Sequence, residues 1–306
     1  MPTMDCEEGS FQTAPTFAGL DSSHTSIDAA RFSVIPVPYE ATTEWITGTR
    51  HAPARIIDSS RLLELYDQEL DRDVSKCGIF TTEPIQPVLS RPEDMVNKVE
   101  DKVNHWLACG KIPVLLGGEH TITLGAVQAM CAHYADLSVL HLDAHADLRD
   151  SYLGARCSQA TVMRRVRELC PAAQAGIRSL SEAERRYIND HRLSIVFWPP
   201  TAPSWLEHLM TSLSGTVYVT IDADVFDSGF LPCVGTPEPG GPGWHDLWSI
   251  LRAVATTRRI VGFDVVELAP EGRTGDVCAY TLARLTYRLI GYIHTYNERQ
   301  EAVHHG

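Results

Sequence analysis

The sequence predicts an α/β protein with a largely parallel central sheet and helices on both of its faces. Two features carry this. Short apolar runs alternate with amphipathic stretches from about residue 31 onward, and several runs are nearly continuous, with no polar face. Strand–helix alternation makes successive strands parallel, because each crossover helix returns the chain to the same edge. A strand that is apolar on both faces is one that is covered on both.

The elements follow in chain order. Residues 1–30 are rich in Ser, Thr and Asp, show no periodicity, and are read as an irregular arm. FSVIPV (32–37) is a strand. A helix is expected over 53–66, with Pro53 suited to its first turn and Ile56, Ile57, Leu62, Leu63 and Leu65 on its apolar face. A second helix is expected near 93–108, then the strand IPVLLG (112–117) and a helix over 121–134. The strand LSVLHL (137–142) and a helix over 159–169 follow. Further strands are expected near 173–177, 193–198, 216–221 and 259–266. Helices near 181–190, 203–213 and 244–257 lie between them, and a last helix covers about 276–293. There is no internal repeat and no low-complexity linker, so residues 31–306 are read as one domain.

Composition excludes several classes. Hydrophobic residues make up 44% and charged residues 21% of the 306, an ordinary soluble balance. No stretch approaches the roughly 18 to 20 apolar residues that cross a membrane. The N-terminus MPTMDCEEGS is acidic and polar, unlike a secretory signal. The eight cysteines form no CxxC pair, so reduced thiols and a cytoplasmic location are expected. A net charge of −13 argues against a nucleic-acid partner. It serves solubility and suits a cationic substrate.

Three apolar strands end abruptly in metal-ligand residues, each at the C-terminal end, where open parallel sheets bind ligands. The first end is Gly117-Gly118-Glu119-His120; its glycines permit a tight turn that leaves His120 at the edge. The second is Asp143-Ala144-His145-Ala146-Asp147; in an extended chain the two acids and the imidazole share one face. The third is Asp222-Ala223-Asp224, where the same alternation pairs two acids; Asp227, at odd spacing, reads as a turn or ion-pair residue. Any one of these could be a capped strand end. Together, four aspartates and two histidines exceed one ion's needs and suit two divalent ions sharing carboxylates. The aspartates would cancel the four positive charges with both histidines neutral. An oxygen-rich set favours manganese-like ions, although raw affinity favours Ni, Co or Zn.

These segments resemble those of a known family. GGEH (117–120), DAHAD (143–147) and TIDADVFD (220–227) are similar, in this order, to the metal-binding segments of the ureohydrolases, the family of arginase and agmatinase. The resemblance extends through VPYEATT (37–43), GTRHAPARI (48–56), GIRSLS (176–181), GTPEPGG (235–241) and GFDVVELAP (262–270). It implies a three-layer α/β/α, arginase-like fold, with residues 31–306 as the catalytic domain and two Mn2+ ions as cofactors. By matching segments, His120, Asp143, Asp147 and Asp222 would hold one ion. His145 and Asp224 would hold the other, with Asp143 and Asp222 shared. Asp147 would orient the attacking water, and Glu267 would pair with the substrate guanidinium, a planar two-bond fit. A homo-oligomer, trimer or hexamer, is implied as well.

The style of LELYDQELD and of the segment 147–166 is similar to bacterial agmatinases, so cleavage of agmatine to putrescine and urea is the first expectation. Departures leave alternatives open. Gln159 stands in Ser158-Gln159-Ala160 where many relatives have a histidine, thought to bind substrate or shuttle protons; Gln cannot exchange a proton at neutral pH. Ile46 replaces a common arginine, Ala52 a common glycine, and Pro232-Cys233-Val234 a Pro-Gly loop. The alternatives are a guanidino acid such as guanidinobutyrate, formiminoglutamate, or a metal-holding pseudoenzyme weakened by Gln159. An acid substrate would need an entrance cation, for which Arg149, Arg156 and Arg273 are candidates.

Overall fold

The computed structural model describes residues 15–20 and 26–305, with side chains to 298. Its main sheet has eight strands, ordered β4-β1-β5-β10-β9-β6-β7-β8. They are β1 (Phe32–Val37), β4 (Ile79–Thr81), β5 (Ile112–Gly117), β6 (Leu137–Leu142), β7 (Ala172–Ile177), β8 (Ile195–Phe197), β9 (Thr216–Asp222) and β10 (Arg259–Val266). Every pairing in this sheet is parallel. A separate antiparallel pair, β2 (Tyr66–Asp67) and β3 (Arg72–Asp73), forms a small hairpin.

Side-chain alternation along the strands sorts the core into two layers. Phe32, Val34, Val114, Leu116, Leu140, Leu142, Val217, Val219, Phe263 and Val265 face one way. There they meet α1 (Ala52–Ser60), α6 (Trp205–Thr211), α7 (Trp244–Thr257) and α8 (Gly272–His305). Ile35, Val37, Leu115, Val139, Tyr218 and Val261 face the other way. They meet α2 (Pro92–Ala108), α3 (Ile122–His133), α4 (Val162–Val166) and α5 (Glu182–His191). This is the expected helix–sheet–helix sandwich.

Several expectations are corrected. The helix expected over 53–66 stops at Ser60. Buried Ser60 turns its hydroxyl onto Ile57 O and receives Ala18 N, and the chain leaves through tighter turn bonds at residues 61–63. Leu62 is consequently 76% exposed, while Leu63 packs inward. The helix expected over 159–169 is a 3-10 turn, Gln159–Thr161, followed by the single short α4. The last helix starts earlier and runs longer than expected. Strand β4 and the hairpin are too short to show a period in the sequence. Within the expected irregular arm, Phe17 and Ala18 are buried, with Phe17 N bonded to Thr81 Oγ1; residues 1–14 and 21–25 lie outside the described residues. Cys77, Cys131, Cys157, Cys170, Cys233 and Cys278 are free thiols, but Cys109 is disulfide-bonded, against the all-reduced expectation.

The chain order explains where the site lies. After β5 the chain places β6 three positions away, adds β7 and β8 outward, and returns with β9 and β10 to fill the two-strand gap. The C-terminal ends of β5, β10, β9 and β6 are therefore adjacent. Gly118 makes the close approach there possible. Its N–H bonds Val37 O, its carbonyl accepts from Glu267 N, and a Cβ would lie 1.9 Å from Tyr39 O. Gly118→Ala is expected to destabilise the protein by about 1–3 kcal/mol through overpacking. Urea denaturation measures this, and an unchanged midpoint would contradict the contact.

Candidate active site

The ends of β5, β6, β9 and β10 bring together all six expected metal ligands and Glu267. His120 Nδ1 lies 3.2 Å from Asp143, 3.4 Å from Asp147 and 3.2 Å from Asp222. His145 Nδ1 lies 2.9 Å from Asp224 and 3.5 Å from Asp143. The convergence was expected from the alternation of an extended chain, which the segments follow only in part. β6 ends at Leu142; residues 143–147 are irregular, bent at Ala144, with His145 in an isolated parallel bridge to Ser179 and Asp147 at φ +52°. Asp224 sits in a 3-10 turn (Ala223–Val225) whose first N–H groups are capped by Asp222, which accepts from Asp224 N at 2.8 Å. A bend, a left-handed residue and a 3-10 turn, rather than regular pleating, aim these side chains. Glu267 also has positive φ, +62°, and its Oε1 accepts from His120 N at 2.6 Å. Non-glycine residues held there are strained, a pattern that clusters at functional sites.

Hydrogen-bond accounting shows what the cluster lacks. Asp264, fully buried, accepts from Thr123, Tyr218 and Thr220. The one proton of Thr220 is spent there, so its oxygen accepts from His120 Nε2 at 2.8 Å. His120 Nδ1 is then the bare nitrogen. It is buried, has no hydrogen-bond partner among the described residues, and faces three carboxylates. A lone pair aimed at carboxylate oxygens is stable only with a proton or cation between them.

The titration shifts agree. Burial opposes charging His120, but the Asp143 and Asp222 carboxylates hold its pKa well above the usual range. His145 is raised likewise against burial, by Asp224 and Asp143. Burial and then the neighbouring Asp143 raise Asp147, while burial, Asp224 and Asp143 raise Asp222. The cluster is short of positive charge, and its donor set fits divalent cations.

Sequence reasoning missed the layer beneath. His141, Thr220 and Asp264 are all fully buried and tie the ligand segments to the sheet. A signal existed for His141: an imidazole inside the apolar run LSVLHL, two residues before Asp143 and on its face. Glu119 of the GGEH segment is also structural. It accepts from Ala41 N, Thr42 N and the hydroxyls of Thr42 and Thr121, and so pins the 41–44 loop.

Above the cluster lies a cavity of about 300 Å³, whose lining includes His120, His145, Asp147, Gln159, Glu184, Asp222, Asp224 and Glu267. Gln159 is half-buried; its backbone N–H bonds Thr42 Oγ1. Glu44 and Tyr152, hydrogen-bonded to each other, and Arg149 complete the wall. Arg149 stacks on the Tyr152 ring at 4.8 Å and approaches Glu184 to 4.0 Å. Arg156 pairs with Asp150 and Glu168, and neither it nor Arg273 lines the cavity. Asp227 caps a turn, accepting from Gly229, Gly240 and Gly241. Cys233 packs against the core beside the cavity without lining it.

The profile described as the arginase family matches residues 30–291. The chain belongs to that family. This arginase-family protein is 38% identical over 281 residues to an N(1)-aminopropylagmatine ureohydrolase of Synechocystis, covering 88% of this chain and 90% of the relative. It is 34% identical to an agmatinase of Bacillus anthracis, over 81% of this chain and 87% of the relative. The solved agmatine ureohydrolase of Thermoplasma volcanium superposes with a TM-score of 0.82 at 28% identity, covering 90% of this chain and 94% of that one. It is thus a metal-dependent enzyme of the ureohydrolase kind, with the arginase-like fold. No helix among the described residues is long and apolar enough to cross a membrane.

The raised groups set a pH dependence. For His120, His145, Asp147 and Asp222, folded pKa values lie above unfolded ones. Their contribution to cation-free stability is present at low pH and lost as pH rises through the folded values. A bound cation replaces the missing positive charge. Stabilisation by added Mn2+, read as a shift in Tm, is therefore expected to grow from about pH 5 to pH 8. A shift that is flat or shrinks over this range would contradict the charge assignment.

Proposed function

We propose that this arginase-family protein hydrolyses agmatine to putrescine and urea at a two-ion manganese centre. His120, Asp143, Asp147 and Asp222 would hold one ion. His145 and Asp224 would hold the other, with Asp143 and Asp222 shared. The observation that carries the choice of substrate is the charge of the cavity outside the ligand cluster. Glu44, Glu184 and Glu267 face a single cation, Arg149, which Tyr152 and Glu184 already engage. Counted with all three carboxylates ionised, the formal balance of −2 matches a substrate with one guanidinium and one ammonium. It disfavours a guanidino acid, whose carboxylate would meet no free arginine.

Bound divalent ions supply Lewis acidity and bring water's ionisation toward neutral pH. The chain's own residues do the rest. Glu267 orients the guanidinium: Oε1 is anchored by His120 N–H and retains a lone pair, and Oε2 has no donor among the described residues. That fixed pairing supplies proximity to the carbon under attack. Asp147, which lines the cavity, takes the proton that the attacking water gives up and passes it to the departing amine. Gln159 hydrogen-bonds the substrate chain without exchanging a proton. Glu44, kept in place by the Tyr152 hydroxyl at the rim, receives the far ammonium.

A second reading is agmatine extended by an N1-aminopropyl group, favoured by the name of the Synechocystis relative and by the exposed position of Glu44 at the mouth.

Urea release from agmatine, its aminopropyl derivative and guanidinobutyrate by Mn2+-loaded protein tests these readings. Agmatine is expected to lead, and guanidinobutyrate to be the poorest. Turnover of guanidinobutyrate alone would overturn the charge argument. Glu267→Gln is expected to lower kcat/KM roughly 10- to 100-fold, the loss of one charge-assisted contact of about 1.5–3 kcal/mol. Gln159→His is expected to stay within about tenfold of wild type, because Asp147 carries the proton. A gain of roughly 10² to 10⁴ in the variant would show that the shuttle is missing from this chain.

A further inference from the structure

We propose that His141 is not a metal ligand but the residue that positions Asp143, and that Arg167 and Gln174 determine which of its nitrogens does so. Spacing alone leaves the matter open, since ligand atoms of His120, His141, Asp143 and Asp147 all lie within 4.8 Å of one another. Donor and acceptor counting closes it.

Arg167 can only donate. Its Nε and Nη2 lie 3.4 and 3.2 Å from Gln174 Oε1, so the amide oxygen of Gln174 faces Arg167. The amide nitrogen must then face the other way. It lies 2.9 Å from Ala146 O, which can only accept, and 2.9 Å from His141 Nδ1. Both N–H groups of Gln174 are used, one on each. His141 Nδ1 is therefore an acceptor, and the imidazole carries its proton on Nε2. That Nε2–H points at Asp143 Oδ2, 2.8 Å away.

Neither ring nitrogen keeps a free lone pair for an ion. Asp143 is instead gripped at both oxygens: Oδ2 by His141, and Oδ1 by His145 N at 2.5 Å. Each oxygen retains a lone pair beside a ligand imidazole, His120 or His145. A carboxylate shared by two ions has to be held in one plane, and hydrogen bonds from outside the ligand set do this. Gln174 adds a second grip by bonding the carbonyl of Ala146, inside the bent segment that carries His145 and Asp147.

The proposal rests on the reading of Asp143 as a ligand, and its test reads metal affinity rather than turnover. Mn2+ binding to the cation-free full chain is titrated calorimetrically for wild type, His141→Phe, His141→Gln and Gln174→Leu. His141→Phe is expected to bind the same number of ions 10- to 100-fold more weakly. His141→Gln, which restores an amide N–H toward Asp143, is expected to recover to within a few-fold of wild type. Gln174→Leu is expected to fall between them, and it carries the test if His141→Phe does not fold. Undiminished affinity in Gln174→Leu, or a His141→Gln no better than His141→Phe, overturns the proposal. So does loss of one whole equivalent in His141→Phe with the other unchanged, because that is the signature of a ligand. A wild-type chain that takes up no divalent ions removes the metal centre and this proposal with it.

Discussion

Four carboxylates and two imidazoles share one buried edge of the sheet, and the protein has to make that crowding tolerable. Like charges a few ångströms apart, cut off from water, repel strongly unless opposite charge lies between them. The pKa values of Asp147 and Asp222 are raised by this, and those of His120 and His145 are raised in answer. The fold creates the problem, because a wholly parallel sheet brings the C-terminal ends of β5, β10, β9 and β6 side by side. It also contains the answer, because the same ends can surround cations. The left-handed backbone at Asp147 and Glu267 and the absent side chain at Gly118 are local costs of bringing these groups within reach.

Much of this was legible in the chain. Apolar runs such as IPVLLG and TVYVTI are apolar on both faces, which only a sheet buried between two helical layers explains, and the core divides accordingly. The six candidate ligand residues stood out because charge interrupts apolar strands where water-avoiding residues should continue. What could not be read was how they converge. Alternation in an extended segment put Asp143, His145 and Asp147 on one side, yet the segment is bent at Ala144 and keeps only an isolated bridge at His145, set by partners distant in sequence: Ala175 O for Asp143 N and Ser179 O for Ala146 N. The end of α1 was hidden for a similar reason, since Ser60 leaves the helical pattern to bond Ala18, 42 residues earlier. Contacts made between remote segments leave no periodic trace.

The cavity shows how specificity can rest on charge already spent. Arg149 looks, in the sequence, like an anchor for a substrate carboxylate. In the structure its guanidinium lies over the Tyr152 ring and toward Glu184, while the Tyr152 hydroxyl bonds Glu44. The arginine thus serves the wall instead of the ligand, and the wall presents a carboxylate at its rim. In the proposed reading the exchange of the usual histidine for Gln159 fits beside it, because an amide would hold a substrate chain without adding positive charge to a pocket for a dication.

His120 and His141 make the same point about nitrogen. Both are fully buried, their rings lie 5.1 Å apart, and both reach Asp143. Burial and proximity do not separate them, but their partners do. Behind His120 stands a hydroxyl whose proton is committed to Asp264, so the imidazole must donate backward and its lone pair faces the carboxylates. Behind His141 stands an amide whose oxygen is committed to Arg167, so the imidazole must accept backward and its proton faces the carboxylates. Reversing the polarity of the group behind each ring reverses what the ring offers in front. The proposed ligand and the proposed positioning residue differ not by residue type but by the place of one hydrogen atom, which is decided behind each ring, at Asp264 for His120 and at Arg167 for His141.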